Sequence, residues 1–323
     1  MHTITAPSEP LFRSRCTLGE GPLYEARTNT LHFVDIGKNT VHHLELDGLQ
    51  CETDYYRHPV TVIVLRHDHP GFLCAALRGF AYIPARLASS SAEKPAPITY
   101  LSRAFSTDLE PHRMFNDGIC DARGRFFAGS KMIRGRDSRP ETKPGSLFKV
   151  TQEELHSDAG PKQVKTDLTI PNGMGFTSDN RTLYLTDTET NRILAFDYDL
   201  DTGDFTNERL WVEPSGPGMP DGCCMDVDDH LWSAKFGGAA IERFNPSGDA
   251  VLRIDFPTAL NITACVFGGK DMATLYVTTA SLEESKDDTP ENLAKYTESG
   301  NLFAIDLGAY GIKGRPRFEF ASS

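Results

Sequence analysis

The chain has 323 residues, 39% of them hydrophobic and 24% charged, with a formal net charge of −12. This composition supports a sizeable buried core. It excludes a nucleic-acid binder, which needs a basic footprint, and argues against docking on anionic lipid. It suits a site that gathers cations.

Residues 1–10 read as a short tail with neither a basic start nor an apolar run. No stretch approaches the roughly 20 apolar residues that cross a bilayer. A cytoplasmic protein with no membrane partner is the expectation. The seven cysteines are scattered and form no Cys-x-x-Cys, so neither a disulfide framework nor a thiolate zinc site is expected.

From there on, short alternating strands are separated by Gly, Asn, Asp and Pro. Residues 31–35 and 41–46 make a first pair, and 71–77 with 80–83 a degenerate second. Residues 124–129 and 145–150, 182–187 and 192–198, 230–234 and 240–245, and 274–278 and 300–306 repeat the pattern. The units begin near residues 20, 61, 116, 172, 221 and 263, a spacing of roughly 40–55 residues, as in propeller blades. The prediction is an all-β, six-bladed β-propeller occupying 1–323 as one domain. A solenoid would keep a stricter period than the insertions at 89–109, 133–143 and 282–299 allow. These polar insertions read as surface loops. The helices expected are short, over 152–157 and 287–296.

The blade starts carry Gly19-Glu20-Gly21-Pro22, Asn116-Asp117-Gly118, Pro171-Asn172-Gly173 and Pro220-Asp221-Gly222. Any one of these alone is an ordinary hairpin turn. Together they share one phase of the repeat, just before the apolar inner strand, and so converge at one mouth of the central channel. Two carboxylates brought together there repel unless a cation lies between them. Glu20 and Asp221 supply the charge, while Asn172 and Asn116 supply neutral oxygens. Such an open, all-oxygen shell suits one hard divalent ion, Ca²⁺ first, with Mg²⁺, Mn²⁺, Fe²⁺ or Zn²⁺ as alternatives. His42-His43 and His67-Asp68-His69 look metal-like, but they read as strand and turn residues.

At these positions, from about Cys16 to Gly314, the chain resembles the regucalcin/gluconolactonase family, also called the senescence marker protein family. The pieces that carry the resemblance include 18–24, 115–118 with 121–129, 171–174, 195–199, 220–226 and 265–269. The resemblance implies a six-bladed propeller with a divalent metal held by Glu20, Asn172 and Asp221. It also implies Asn116 as a substrate contact beside the metal, and hydrolysis of a small-molecule sugar-type lactone. The sequence departs from the family pattern in two places. Met114 stands where the family often has an Arg two residues before the Asn, and Arg113, one residue off register, should point away. Lys131, Met132, Ile133 and Arg134 stand where an acidic residue often reads substrate hydroxyls.

In the mechanism this suggests, the metal polarises the lactone carbonyl and Asp221 is general base. Asn116, Met114 and Lys131 then bind substrate. Lys131 and Arg134 could meet an acidic substrate or be solvated loop charges. Two rival functions remain. One is an aryl-ester or phosphotriester hydrolase, favoured by an apolar wall of Met114, Phe115 and Met132. The other is a non-enzymatic calcium-binding regulator.

Overall fold

The structure is a computed structural model and describes residues 1–133 and 144–321. Six antiparallel sheets follow one another along the chain. Their innermost strands are Gly19–Glu25, Val60–Leu65, Arg113–Cys120, Pro171–Phe176, Met219–Met225 and Asn261–Gly268. Each touches the next, and the last touches the first. The molecule is thus a six-bladed β-propeller, with blades 1–6 in chain order around a channel.

The core lies between blades. Six apolar clusters fill the six seams, for example Val34, Val41, Ile63 and Phe72 between blades 1 and 2, and Trp232, Ile241, Cys265 and Leu275 between blades 5 and 6. Strands sandwiched between seams are buried on both faces. This is why Thr30–Asp35, Val60–Leu65 and Pro171–Phe176 are buried throughout, and why the apolar runs do not alternate cleanly.

Residues 1–10 are more than a tail. His2–Thr5 pairs parallel to Ala250–Asp255 as the fifth strand of blade 5, and Phe12 bridges Leu302 in blade 6. The expected helices are present but shorter, at Gln152–Leu155 and Pro290–Lys295. In the 89–109 insertion, Ser102–Arg103 is the outer strand of blade 2. Most of the 133–143 insertion lies outside the described residues.

In four of the blades a buried turn acid has a structural task. Asp35 Oδ1 accepts the backbone N–H groups of Leu18, Gly37 and Lys38, and its Oδ2 accepts Thr17 N–H. Asp187 Oδ1 accepts Thr169 and Ile170 N–H and the Thr169 hydroxyl. Asp226 accepts two backbone N–H groups, the Trp232 indole N–H and Arg243 Nε. Asp121 accepts two backbone N–H groups, Arg125 Nε and the Tyr198 hydroxyl.

Residues 313–321 form a strap across one end of the channel. Gly314 N–H donates to Met272 O, and Arg315 N–H to Met225 O. Arg315 Nη2 donates to Phe176 O and Arg317 Nη2 to Cys223 O. Ala321 N–H donates to Gly124 O, Phe320 N–H to Leu65 O, and Glu319 pairs with Arg27. The strap is therefore tied to all six blades.

Candidate metal and active site at one mouth of the channel

The polar residues at the blade starts lie inside the inner strands, each where the pairing slips by one residue. The register shifts fall at Glu20/Leu23, Phe115/Gly118, Pro171/Met174 and Pro220/Cys223. In each case three residues of the inner strand face two of its partner. The acid-or-amide-plus-Gly signature is therefore that of a β-bulge, a device that re-aims side chains next to sites, rather than of a hairpin tip. The glycines also let the inner strands crowd together. A Cβ on Gly173 would lie 2.4 Å from Cys223 N, and one on Gly222 2.5 Å from Ala264 Cβ.

The bulges aim Glu20, Asn116, Asn172 and Asp221 into one pocket of ≈ 350 Å³, to which Met114 and Lys131 also contribute. All six residues singled out in the sequence thus line a single cavity. Phe115, expected in its wall, is fully buried instead and packs against Phe80, Phe105 and Phe148, with ring centroids 4.8, 5.1 and 5.6 Å away. It follows Met114 in a strand, so its side chain leaves by the opposite face. Met132 does line the pocket, whereas the buried Arg113 does not. Arg134 lies outside the described residues.

The floor residues are buried but sparsely partnered. Among the described residues, Glu20 Oε2 accepts only a 3.2 Å hydrogen bond from Gly21 N–H. Asn172 Nδ2 donates to Thr188 Oγ1 at 3.2 Å, and Thr188 Oγ1 donates onward to Pro220 O at 2.9 Å, beside Asp221. That fixes the amide and leaves Asn172 Oδ1 buried without a partner. Asn116 Nδ2 donates to Pro171 O at 3.2 Å, which orients the amide and leaves its carbonyl oxygen and one N–H hydrogen for the pocket. Burial, then the charges of Asp221 and Asp117, push the Glu20 carboxyl well above its usual range. Burial likewise pushes Asp221 to about 8, and Asp117 adds to this; the nearby Lys131 cation and hydrogen bonds from the Asn172 side chain and Gly222 N–H oppose it.

Two crowded carboxylates and an orphaned amide oxygen meet the requirements of a hard cation: oxygen donors, negative charge and an uncommitted lone pair. The residues present therefore fit a divalent metal. The sequence reading missed Asp117, whose half-buried carboxyl sits just past Asn116 and shares a ≈ 20 Å³ cavity on the strap side with Arg317. Its signal was the Asn-Asp-Gly run, read there for its Asn alone.

Among the described residues, two groups away from the floor bring three ligand-type atoms within 4.8 Å of one another: Cys16, Asp35 and His42, and Asp226, Asp228 and His230. In both, the central acid is the turn carboxylate described above. His42 has Thr40 and Thr53 hydroxyls on its two ring nitrogens, at 2.9 and 3.0 Å. These groups are structural.

The fold is that of a known class. Residues 18–281 match the SMP-30/Gluconolactonase/LRE-like region, and the chain belongs to that family of six-bladed propellers. Among its relatives is pentonolactonase XacC of Haloferax volcanii, 30% identical over 305 residues, or 94% of each chain. Regucalcin of Danio rerio is 29% identical over 318 residues, or 97% of each. The solved structure of a regucalcin from Agrobacterium tumefaciens, described as a calcium-binding protein, superposes with a TM-score of 0.82 at 22% identity, covering 100% of this chain and 99% of that one.

Proposed function

We propose that the chain is a divalent-metal-dependent lactonase that opens a sugar-type lactone to its hydroxy acid. The observation that carries this reading is the floor itself. Two buried carboxylates with raised pKa values and an unpartnered amide oxygen converge in one pocket. A pentonolactonase among the relatives supports the reaction class.

Glu20, Asn172 and Asp221 would hold the ion, with Ca²⁺ our first choice. When bound, the ion supplies Lewis-acid stabilisation of charge developing on the carbonyl oxygen. The chain's own residues do the rest. Asp221 takes the proton of the attacking water at its carboxylate, as general base. Thr188 locks the Asn172 amide in one orientation by accepting from Nδ2. The Asn116 oxygen accepts from a ring hydroxyl, and Lys131 adds positive charge beside the floor as the oxyanion forms. The pocket volume falls within the range of small-molecule sites. The seven unpaired cysteines fit a reducing compartment, which supports the cytoplasm as location. Among the described residues no helix is long and apolar enough to cross a membrane.

The test is a lactone panel, with aryl esters alongside, assayed on chelated protein before and after adding back Ca²⁺, Mg²⁺, Mn²⁺, Fe²⁺ or Zn²⁺. Lactone opening that returns with one of these ions is expected. Full activity after chelation would sink the metal requirement. An ion that binds with no lactone opened would sink the enzymatic reading and favour a calcium-binding regulator.

A further inference from the structure

The pocket has a second tier. Each floor residue is preceded, two positions earlier, by an apolar one. Leu18 stands before Glu20, Met114 before Asn116, Ile170 before Asn172 and Met219 before Asp221. All four of these apolar residues line the same cavity as the floor. Met114 and Met219 share a strand with Asn116 and Asp221, and a two-residue offset along a strand keeps side chains on one face and moves them by roughly 7 Å. Leu18 and Ile170 stand immediately before the strands that carry Glu20 and Asn172. The inner strands and the residues leading into them thus build a polar ring and, nearer the mouth, an apolar ring contributed by the same four blades. Phe236, which also lines the pocket, thickens the apolar ring because it lies directly across from Met219 in the pairing of their strands. One cation starts at the height of this ring: Lys131 pairs directly across from Met114, but its charge acts on Glu20 and Asp221 at the floor. The Thr188 hydroxyl is committed to Pro220 O, and Glu189 and Glu284 sit on short helices between strands.

A lactone whose carbonyl rests on the floor presents its ring hydroxyls to Asn116 and Lys131. Its exocyclic substituent then reaches the height of the apolar ring. A hydroxymethyl group there would leave its hydroxyl against methionine and isoleucine, without a partner. A methyl or longer alkyl group would be buried favourably, and methionine side chains adapt to its shape. Resting on the lactonase reading above, we infer that the pocket selects lactones whose exocyclic carbon is apolar: deoxy-sugar lactones or alkyl-substituted ring lactones, in preference to fully hydroxylated ones.

The experiment compares kcat/KM of the metal-reconstituted full chain for a hexono-1,4-lactone and its 6-deoxy counterpart, which differ by one hydroxyl. Asp221→Asn supplies the background. The 6-deoxy lactone should be favoured by about tenfold to a hundredfold, the scale on which an apolar pocket discriminates against an added hydroxyl. Met219→Gln places an amide in the upper ring at a position 36% exposed, where it does not burden folding, and should cut that preference at least about fivefold. Ile170→Gln, at a half-buried position of the same ring, is a second variant with the same expectation. Equal rates on the two lactones, or preference for the hydroxylated one, would overturn the inference and leave the lactonase reading standing. Opening of neither lactone above the Asp221→Asn background would overturn both.

Discussion

Two sets of buried carboxylates recur in this propeller, and the contrast between them separates chemistry from architecture. In the blade turns, Asp35, Asp121, Asp187 and Asp226 each accept several hydrogen bonds from backbone amides, hydroxyls, an indole or arginine. Their charge is fully used in holding a loop. On the channel floor, Glu20 accepts one long hydrogen bond, and Asp221 is held above its usual range by burial. A fold under selection for stability alone would not bury a carboxylate as poorly satisfied as Glu20 beside a second one. Burial and negative charge are common to both sets. What marks the site is burial with lone pairs left over.

The contrast can be broken by exchanging the roles of the two sets. Asp221→Asn should lower kcat by on the order of 10²–10⁴-fold, the usual contribution of a general base, while the thermal midpoint stays near that of the wild type. A loss of fold would erase the distinction. Asp226→Ala should do the reverse. It strands Arg243, which Asp226 now meets at 2.6 Å with its own side chain fully buried, and should cost about 3–5 kcal/mol in urea titrations with kcat of the folded fraction unchanged. Chelation sharpens the same line. Adding back the ion at a hundredfold excess over its Kd should raise stability by about 2.7 kcal/mol, and Glu20→Gln should shrink that gain while Asp187→Asn should leave it intact.

The smallest effect concerns His42, which shares its surroundings with Asp35. Burial holds the His42 pKa down at about 4, against about 6.5 in an unfolded chain. Between those values the unfolded state binds the proton and the folded state does not, so stability falls as pH drops from 6.5 toward 4. The full window corresponds to at most roughly 3 kcal/mol. The urea midpoint of His42→Gln should therefore fall less than that of the wild type between pH 7 and pH 4.5. Identical slopes would show that His42 is not held neutral.

Much of this was legible in the sequence, and the reasons are specific. Four polar-Gly pairs at one phase of the repeat sufficed to bring Glu20, Asn116, Asn172 and Asp221 to one mouth, because blade phase fixes position on the axis. Their placement within the strands was not legible. A bulge adds one residue without disturbing the apolar pattern on either side, so Asn-Gly and Asp-Gly looked like turns. The Phe115 error came from neglecting the alternation already used to set Arg113 aside. The upper ring was visible in principle as a constant offset of two, but Leu18, Ile170 and Met219 carry no polar signature to mark them when taken singly. The clasp by His2–Thr5 and the strap at 313–321 left no periodic trace, because their partners are scattered over distant blades.

The strap has a mechanical consequence. Six wedges packed only against their neighbours form a ring that can open at any one seam, and the weakest seam decides when it fails. Repeat arrays accordingly tend to lose cooperativity and come apart unit by unit. Here a nine-residue segment makes hydrogen bonds or an ion pair to every wedge. Prising any one seam apart stretches ties that cross the other five. The load is shared around the ring, and the molecule resists opening as a hoop does.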